Sequence, residues 1–249
     1  MPRGFARSAG ARGAGWEGRH GGRPSYNHTL PRAAPAAAPI ERMNAPEPTP
    51  SPSDTPTATA AGPDTRSARL KAATRATHER LDQRIMAGDI FASRERFARF
   101  LRVQYRFHRD VDALYADPGL DALLPGLAAR QRLAQIARDL DDLGQTLPSA
   151  CAPAAQALPL AQALGWLYVA EGSNLGGSVL YKLAARLGLD RSFGARHLAA
   201  PPDGVARHWR RFTAALDGAA LSAAQEADVV AGAEAAFRRV RGHVEEEFA

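Results

Sequence analysis

One cysteine, Cys151, stands in 249 residues. No disulfide closes within the chain, and no paired-cysteine zinc or iron–sulfur site can be assembled. Such economy suits a reducing compartment, and the sequence points to the cytoplasm. Lysine is nearly as scarce, with Lys71 and Lys182 set against thirty arginines. No run of about eighteen apolar residues occurs, so no membrane span is expected, and the arginine-bearing N-terminus lacks the apolar stretch of a secretion signal. Segments alternating apolar and polar with period two are missing, which argues against a sheet protein. The net charge of +6 is misleading, because residues 1–42, with seven arginines and two glutamates, carry +5 of it. Nucleic-acid binding would rest on that arm alone, to be tested by deleting it, and no nucleic-acid partner is expected.

Large apolar residues are scarce in the first quarter. Residues 1–64 hold eleven of the eighteen prolines and only Met1, Phe5, Leu30, Ile40 and Met43 among the large aliphatics and phenylalanines. A segment of this kind buries too little apolar surface to offset its ordering entropy, so 1–64 reads as a disordered low-complexity extension, with Met43 a second candidate start. Residues 65–249 suffice for one domain around one core. Their apolar positions recur at three and four residues, which predicts an all-α domain. Helices are expected over 66–87, ending before Gly88; from the N-cap Ser93 to about Tyr115; after Pro125-Gly126, with Leu133, Ile136, Leu140 and Leu143 on one stripe; over 160–187; through Val205, Trp209, Phe212 and Leu216; and from the capping-box pair Ser222 and Gln225 onward.

Three features do not suit a simple helical core. Gln104 and His108 fall inside the apolar stripe set by Phe97, Phe100, Leu101, Val111 and Tyr115, where they are either a satisfied core pair or a polar patch lining a cavity. Lys71, His78 and Asp82 share one face of the first helix, with Lys71 and His78 about 10 Å apart along it. A packed or surface histidine and a ligand set for a planar metal-bearing group with a peripheral carboxylate both fit that spacing. The helix over 160–187 carries Gly165, Gly172 and Gly176 within about a 40° arc, each glycine costing up to about 1 kcal/mol against alanine. Close helix packing and the approach of something flat both account for such a strip. No strand precedes it and no Gly-Lys-Ser/Thr follows, which excludes a nucleotide loop.

These features coincide in RLKAATRATHERLD, FASRERFARFLRVQYRFHRDVDALY, LGWLYVAEGSNLGG and FGARHLAAPPDG. Over 66–249 the chain resembles the bacterial biliverdin-producing haem oxygenases of the iron-acquisition type, and residues 1–64 lie outside the resemblance. It implies a helical bundle holding haem b, substrate and cofactor at once, between a proximal helix and a kinked glycine-rich distal one. His78 matches the iron ligand. Gly172, Ser173 and Gly176 match the distal wall over bound O2, Lys71 and Tyr168 match the propionate contacts, and Asp82, Gln104, His108 and Arg132 match the holders of a distal water network. His197 matches a family position to which we assign a structural role.

The activity implied is opening of haem by O2 and external electrons to biliverdin, Fe2+ and CO. Lys71, Tyr168 and the Leu183 that follows Lys182 imply the α isomer. The chain holds no flavin or nicotinamide motif, so the resemblance implies a ferredoxin or flavodoxin with its reductase as donor, with Arg75, Arg80 and Arg84 as part of its docking patch. A monomer or weak dimer is expected. The alternatives are a non-catalytic haem-binding or haem-delivery protein on the same scaffold, which has no need of a thin distal wall, and a thiamin-degrading helical enzyme, which would need a pocket cysteine where Cys151 lies in a Pro-rich loop.

Overall fold

The computed structural model describes residues 64–149 and 151–249. The extension read over 1–64 therefore lies, but for its last residue, outside the described residues. Seven α-helices are described: α1 (Arg66–Ala87), α2 (Arg94–Val111), α3 (Pro118–Leu123), α4 (Leu133–Asp142), α5 (Leu160–Ala184), α6 (Val205–Gly218) and α7 (Ala223–Glu247). Short 3-10 turns punctuate them at Asp112–Ala116, Ala128–Arg130, Ala185–Leu187 and Arg196–Leu198. Among the described residues there is no strand, only an isolated bridge between Asp190 and Gly194, as the missing period-two pattern requires.

Side-chain caps set most helix starts. Thr65, Ser93 and Ser222 each accept a hydrogen bond from a first-turn backbone N–H, and Ser222 and Gln225 form the reciprocal capping box. The helix expected to run from Ser93 to Tyr115 is α only to Val111 and tightens over Asp112–Ala116. A six-residue helix, α3, follows where a simple turn was expected, because Asp117 caps it and Pro118 occupies its first position. The helix expected over 160–187 is α to Ala184 and 3-10 in its last turn.

α5 is the centre of the domain. Every residue from Ala163 to Glu171 is buried, and the helix packs along α7 and against α6 and α2. The crossing with α7 is glycine on glycine. A Cβ on Gly165 would land on the Val229 carbonyl and 2.6 Å from Ala233 N, and one on Gly232 would land on Gln162. This half of the expected glycine strip is close helix packing. α1 leans on α7 and α6 instead, its start pinned by the buried Arg66, which donates to Leu216 O, to Ala219 O at 2.7 Å and to Glu226 at 2.7 Å. α1 and α5 both rest on α7 and make few contacts with one another.

Candidate active site

α1 carries Lys71, His78 and Asp82 on one face. Lys71 is exposed and makes no hydrogen bond or ion pair among the described residues. The His78 ring meets Phe237 of α7 edge-on, centroids 5.9 Å apart, yet leaves 55% of its side chain exposed. Its Nδ1 lies 3.0 Å from Asp82 Oδ2, the i,i+4 spacing that puts two side chains on one helix face. The Asp82 carboxylate raises the imidazole above its ordinary value, outweighing its partial desolvation. Nδ1 is thus buttressed, and Nε2 has no partner among the described residues. This is how a histidine metal ligand is prepared: a carboxylate fixes the tautomer and leaves the other nitrogen to coordinate.

The α5 wall is thin beyond Glu171. A Cβ on Gly172 would touch only the Trp209 indole, at 3.6 Å, and one on Gly176 would find nothing within 4 Å. Leu175 and Val179 beside them are 45% and 56% exposed, which is unusual for adjacent large apolar residues on a helix otherwise sunk in the core. Ser173 turns its hydroxyl back to donate to Ala170 O at 2.7 Å. One turn earlier Tyr168 is buried against Trp209, ring centroids 5.6 Å apart. Burial pushes its phenol up to about 12.

A polar cluster lies behind this wall. His108 is 2% exposed and its Nδ1 has no partner. Burial, with Arg132 and His197 nearby, drives its pKa down to about 3, so the ring is neutral. Arg132 donates to the His197 carbonyl, and desolvation lowers its pKa while Glu171 and Tyr115 oppose the change. His197 is 3% exposed with Nδ1 2.8 Å from Asp139 and Nε2 unpartnered. Arg196 and the backbone N–H of His197 also donate to Asp139, which makes the His197 unit a link between α4 and the 3-10 turn at 196–198. Gln104 is half-buried and forms no side-chain hydrogen bond among the described residues.

The structure thus gathers His108 and Arg132, and puts Gln104 one turn before His108 on α2. Asp82 departs from the expected grouping. Its carboxylate is held within α1 by His78, and no direct bond joins it to Gln104, His108 or Arg132. Gly165 also leaves the set that could face a ligand, being consumed by the α7 crossing. Sequence reasoning overlooked Trp209, which covers Gly172, and a set of Tyr115, Arg130 and His208 around the buried Glu171. Glu171 itself carried a signal, as a carboxylate directly after a wholly apolar stretch of helix.

The model of the heme oxygenase family matches residues 64–246. The chain belongs to the haem oxygenase family. Among curated relatives it is 45% identical over 185 residues to heme oxygenase PigA of Pseudomonas aeruginosa, covering 74% of this chain and 93% of that protein. It is 35% identical over 143 residues to a heme oxygenase of Xanthomonas campestris pv. campestris, covering 57% and 84%. Among solved structures, the NO- and CO-bound heme oxygenase of Neisseria meningitidis superposes with a TM-score of 0.71 at 38% identity, covering 74% of this chain and 92% of the other. Heme oxygenase from Leptospira interrogans, at 18% identity and a TM-score of 0.61 over 73% and 99%, shares the fold. This haem oxygenase has no helix among its described residues long and apolar enough to cross a membrane.

Proposed function

We propose that this haem oxygenase opens haem b with O2 and electrons from an external donor, releasing biliverdin, Fe2+ and CO, and that its service is iron release from haem in the cytoplasm. The observation that carries the reading is one juxtaposition. α1 carries an exposed imidazole with a carboxylate on Nδ1, and α5, packed on the same α7, has at Gly176 no atom within 4 Å of a would-be Cβ and leaves Leu175 and Val179 uncovered. A flat apolar ligand with a central metal would use both the imidazole and the bare helix face. The orphaned Nδ1 of His108 and Nε2 of His197 suit the same ligand, since a polar interior behind the distal wall holds water that a wholly apolar one would not.

Bound there, haem supplies the iron at which O2 is activated and the ring that is opened. His78 Nε2 would ligate that iron, with Asp82 orienting the imidazole ring and strengthening it as a donor. Gly172 and Gly176 keep ionisable side chains away from the distal face and let backbone approach the ligand. Neutral His108, Gln104 and cationic Arg132 hold water that delivers protons. Ser173, with its hydroxyl on Ala170, contributes backbone to the wall. Lys71, an unpaired ammonium on α1, attracts the haem propionates. Tyr168, protonated at every physiological pH, would donate to one of them, and these two contacts would favour α cleavage. An acidic ferredoxin or flavodoxin docks on α1 beside Arg75 and Arg80, which are exposed, while Arg84 is partly engaged by Phe248 O at 3.3 Å; charge reversal at all three that leaves the donor-supported rate intact removes this surface.

The test is a haemin titration of the full chain by absorption spectroscopy, then reduction in air, with His78→Ala alongside. One-to-one binding, loss of the Soret band, α-biliverdin as product and lost ligation in the variant are expected. A complex whose haem survives sustained reduction in air would overturn the enzymatic reading in favour of a haem carrier.

A further inference from the structure

Glu171 presents a problem the candidate site does not explain. Its side chain is 1% exposed, and a lone buried carboxylate is strongly disfavoured unless charge and hydrogen bonds compensate it. Compensation comes from far along the chain. Arg130, 41 residues earlier, donates from one guanidinium nitrogen to Oε2 at 2.8 Å and from the other to the His208 carbonyl at 3.1 Å. The Tyr115 hydroxyl donates to Oε1 at 3.0 Å, and His208 Nε2 lies 3.7 Å from Oε2. Two 3-10 turns, α5 and α6 converge on one carboxylate, and the Arg130 guanidinium rests over the Phe212 ring of α6 at 5.6 Å.

Glu171 is also the residue directly before Gly172. Successive side chains on a helix are 100° apart, so pinning Glu171 into the interior fixes the direction in which Gly172 and Gly176, within about 40° of each other, both face. His208 is followed by Trp209, the residue that lies on Gly172. The clamp therefore holds both the rotation of the distal helix and the ring that covers it. It also carries charge. Arg132 reaches into the same interior, its charge favoured by Glu171 and opposed by Arg130. The titratable groups facing this interior are His108 from α2, Tyr115, whose phenol burial holds well above its ordinary value, Arg130, Arg132, His197 and His208, with two buried carboxylates: Asp139, paired with His197 and Arg196, and Glu171, which accepts from Arg130 and Tyr115 and favours the charge on Arg132.

We propose that Glu171 is the positioning residue of the distal helix: clamped between Tyr115 and Arg130, its carboxylate sets the rotation that offers Gly172 and Gly176 to haem and balances the guanidinium charge behind them. The inference rests on the haem reading above. It assigns to Glu171 no contact with haem and no proton of the reaction.

The experiment compares the full-length protein with Glu171→Gln and Tyr115→Phe. The first variant keeps the shape and removes the charge; the second keeps the charge and removes one hydrogen bond. In Glu171→Gln, with haem still bound one-to-one, the acid–alkaline transition of the ferric complex moves to lower pH by at least about half a unit, a threefold change, since a nearby anion has been lost. Turnover falls about tenfold or more as the wall rotates out of register. In Tyr115→Phe the transition stays within about 0.2 units while turnover also falls. The unloaded protein gives an independent readout, because the His208 titration followed by NMR shifts downward in Glu171→Gln. An unchanged transition and an unchanged rate in Glu171→Gln overturn the proposal and leave a structural ion pair. Should Glu171→Gln fail to fold, Tyr115→Phe with full haem binding and wild-type turnover overturns it equally. Wild-type protein that binds no haem would instead overturn the haem reading, whatever the variants do.

Discussion

Substituting alanine at two glycines of one helix should give opposite results. At Gly176 a Cβ meets nothing within 4 Å, so the change loses no packing and gains the helix propensity of alanine, about 0.8–1 kcal/mol. For a domain of this size that raises Tm by roughly 2–4 °C. At Gly165 the added carbon collides with Val229 O, Ala233 N and Gly232 C, all main-chain atoms of α7. Main chain cannot rotate aside as a side chain can, so the helices must separate, at a cost of about 3 kcal/mol and roughly 6–12 °C. Thermal unfolding of the two unloaded variants by circular dichroism measures both. The functional half of the contrast runs the other way. A methyl on the open face of Gly176 stands where haem should approach, so Gly176→Ala should cost tenfold or more in haem turnover, about the effect of displacing a substrate by an ångström. A stabilised but inactive Gly176→Ala is the signature of a site that trades stability for access. The reasoning is refuted if Gly176→Ala melts as low as Gly165→Ala, or if it melts higher and turns haem over at the wild-type rate.

Further outcomes follow from the same geometry. His78→Ala should abolish iron ligation, seen as a changed haem spectrum, but shift the unloaded unfolding free energy by less than about 1 kcal/mol, because the side chain is more than half exposed. Asp82→Asn removes the main cause of the raised His78 pKa, so haem affinity, which requires the neutral ring, should persist to lower pH than in the wild type when titrated between about pH 5.5 and 8. His108 is neutral in the fold, with a pKa of about 3 against 6.5 when unfolded. Below 6.5 the unfolded chain binds the extra proton, so the unloaded protein should lose about 1.4 kcal/mol per pH unit down to 3 from this residue. Urea unfolding at several pH values should show that slope and its flattening in His108→Gln. Asp139, held below its ordinary range despite burial by hydrogen bonds from His197 and the backbone, stabilises the fold above about pH 3.8 and ceases to do so as pH falls through its lowered pKa. Asp139→Asn should therefore destabilise at pH 7 and converge on the wild type in acid.

What the sequence made legible was local. Ser93, Gly88 and the Ser222–Gln225 pair bound helices through contacts within four residues, and the apolar spacing of α1, α2 and α7 needed no tertiary knowledge. The shortening of α2 at Val111 and the appearance of α3 escaped because a 3-10 turn and a capped six-residue helix have the composition of their neighbours. The candidate site was legible in part for the same reason. Lys71, His78 and Asp82 share a face within one helix, but Arg130 meets Glu171 across 41 residues and His197 meets Asp139 across 58. Such pairings depend on the rotation of each helix about its axis, which spacing alone does not specify. The glycine strip shows the limit most clearly: three glycines on one arc looked equivalent, and only the path of α7 separates Gly165 from Gly172 and Gly176.

That separation explains how α5 bears its composition. Gly172, Gly176 and Gly177 each cost the helix up to about 1 kcal/mol, and they follow one another where exposure rises and apolar side chains lie uncovered. Such a segment does not order itself. The order comes from upstream, where Ala163–Ala170 are buried without a gap, Gly165 and Gly232 bring two main chains into contact, and Glu171 is tied by Arg130 and Tyr115. The rigid half ends at the residue where the thin half begins. A wall that must be both bare and fixed cannot be stabilised by its own side chains, and a buried ion at its root does so without adding an atom to its surface. The same logic explains why a charged residue occupies this position at all: an apolar side chain at 171 would bury as well, but it would leave Arg130, with only 9% of its side chain exposed, with an uncompensated charge beside Arg132.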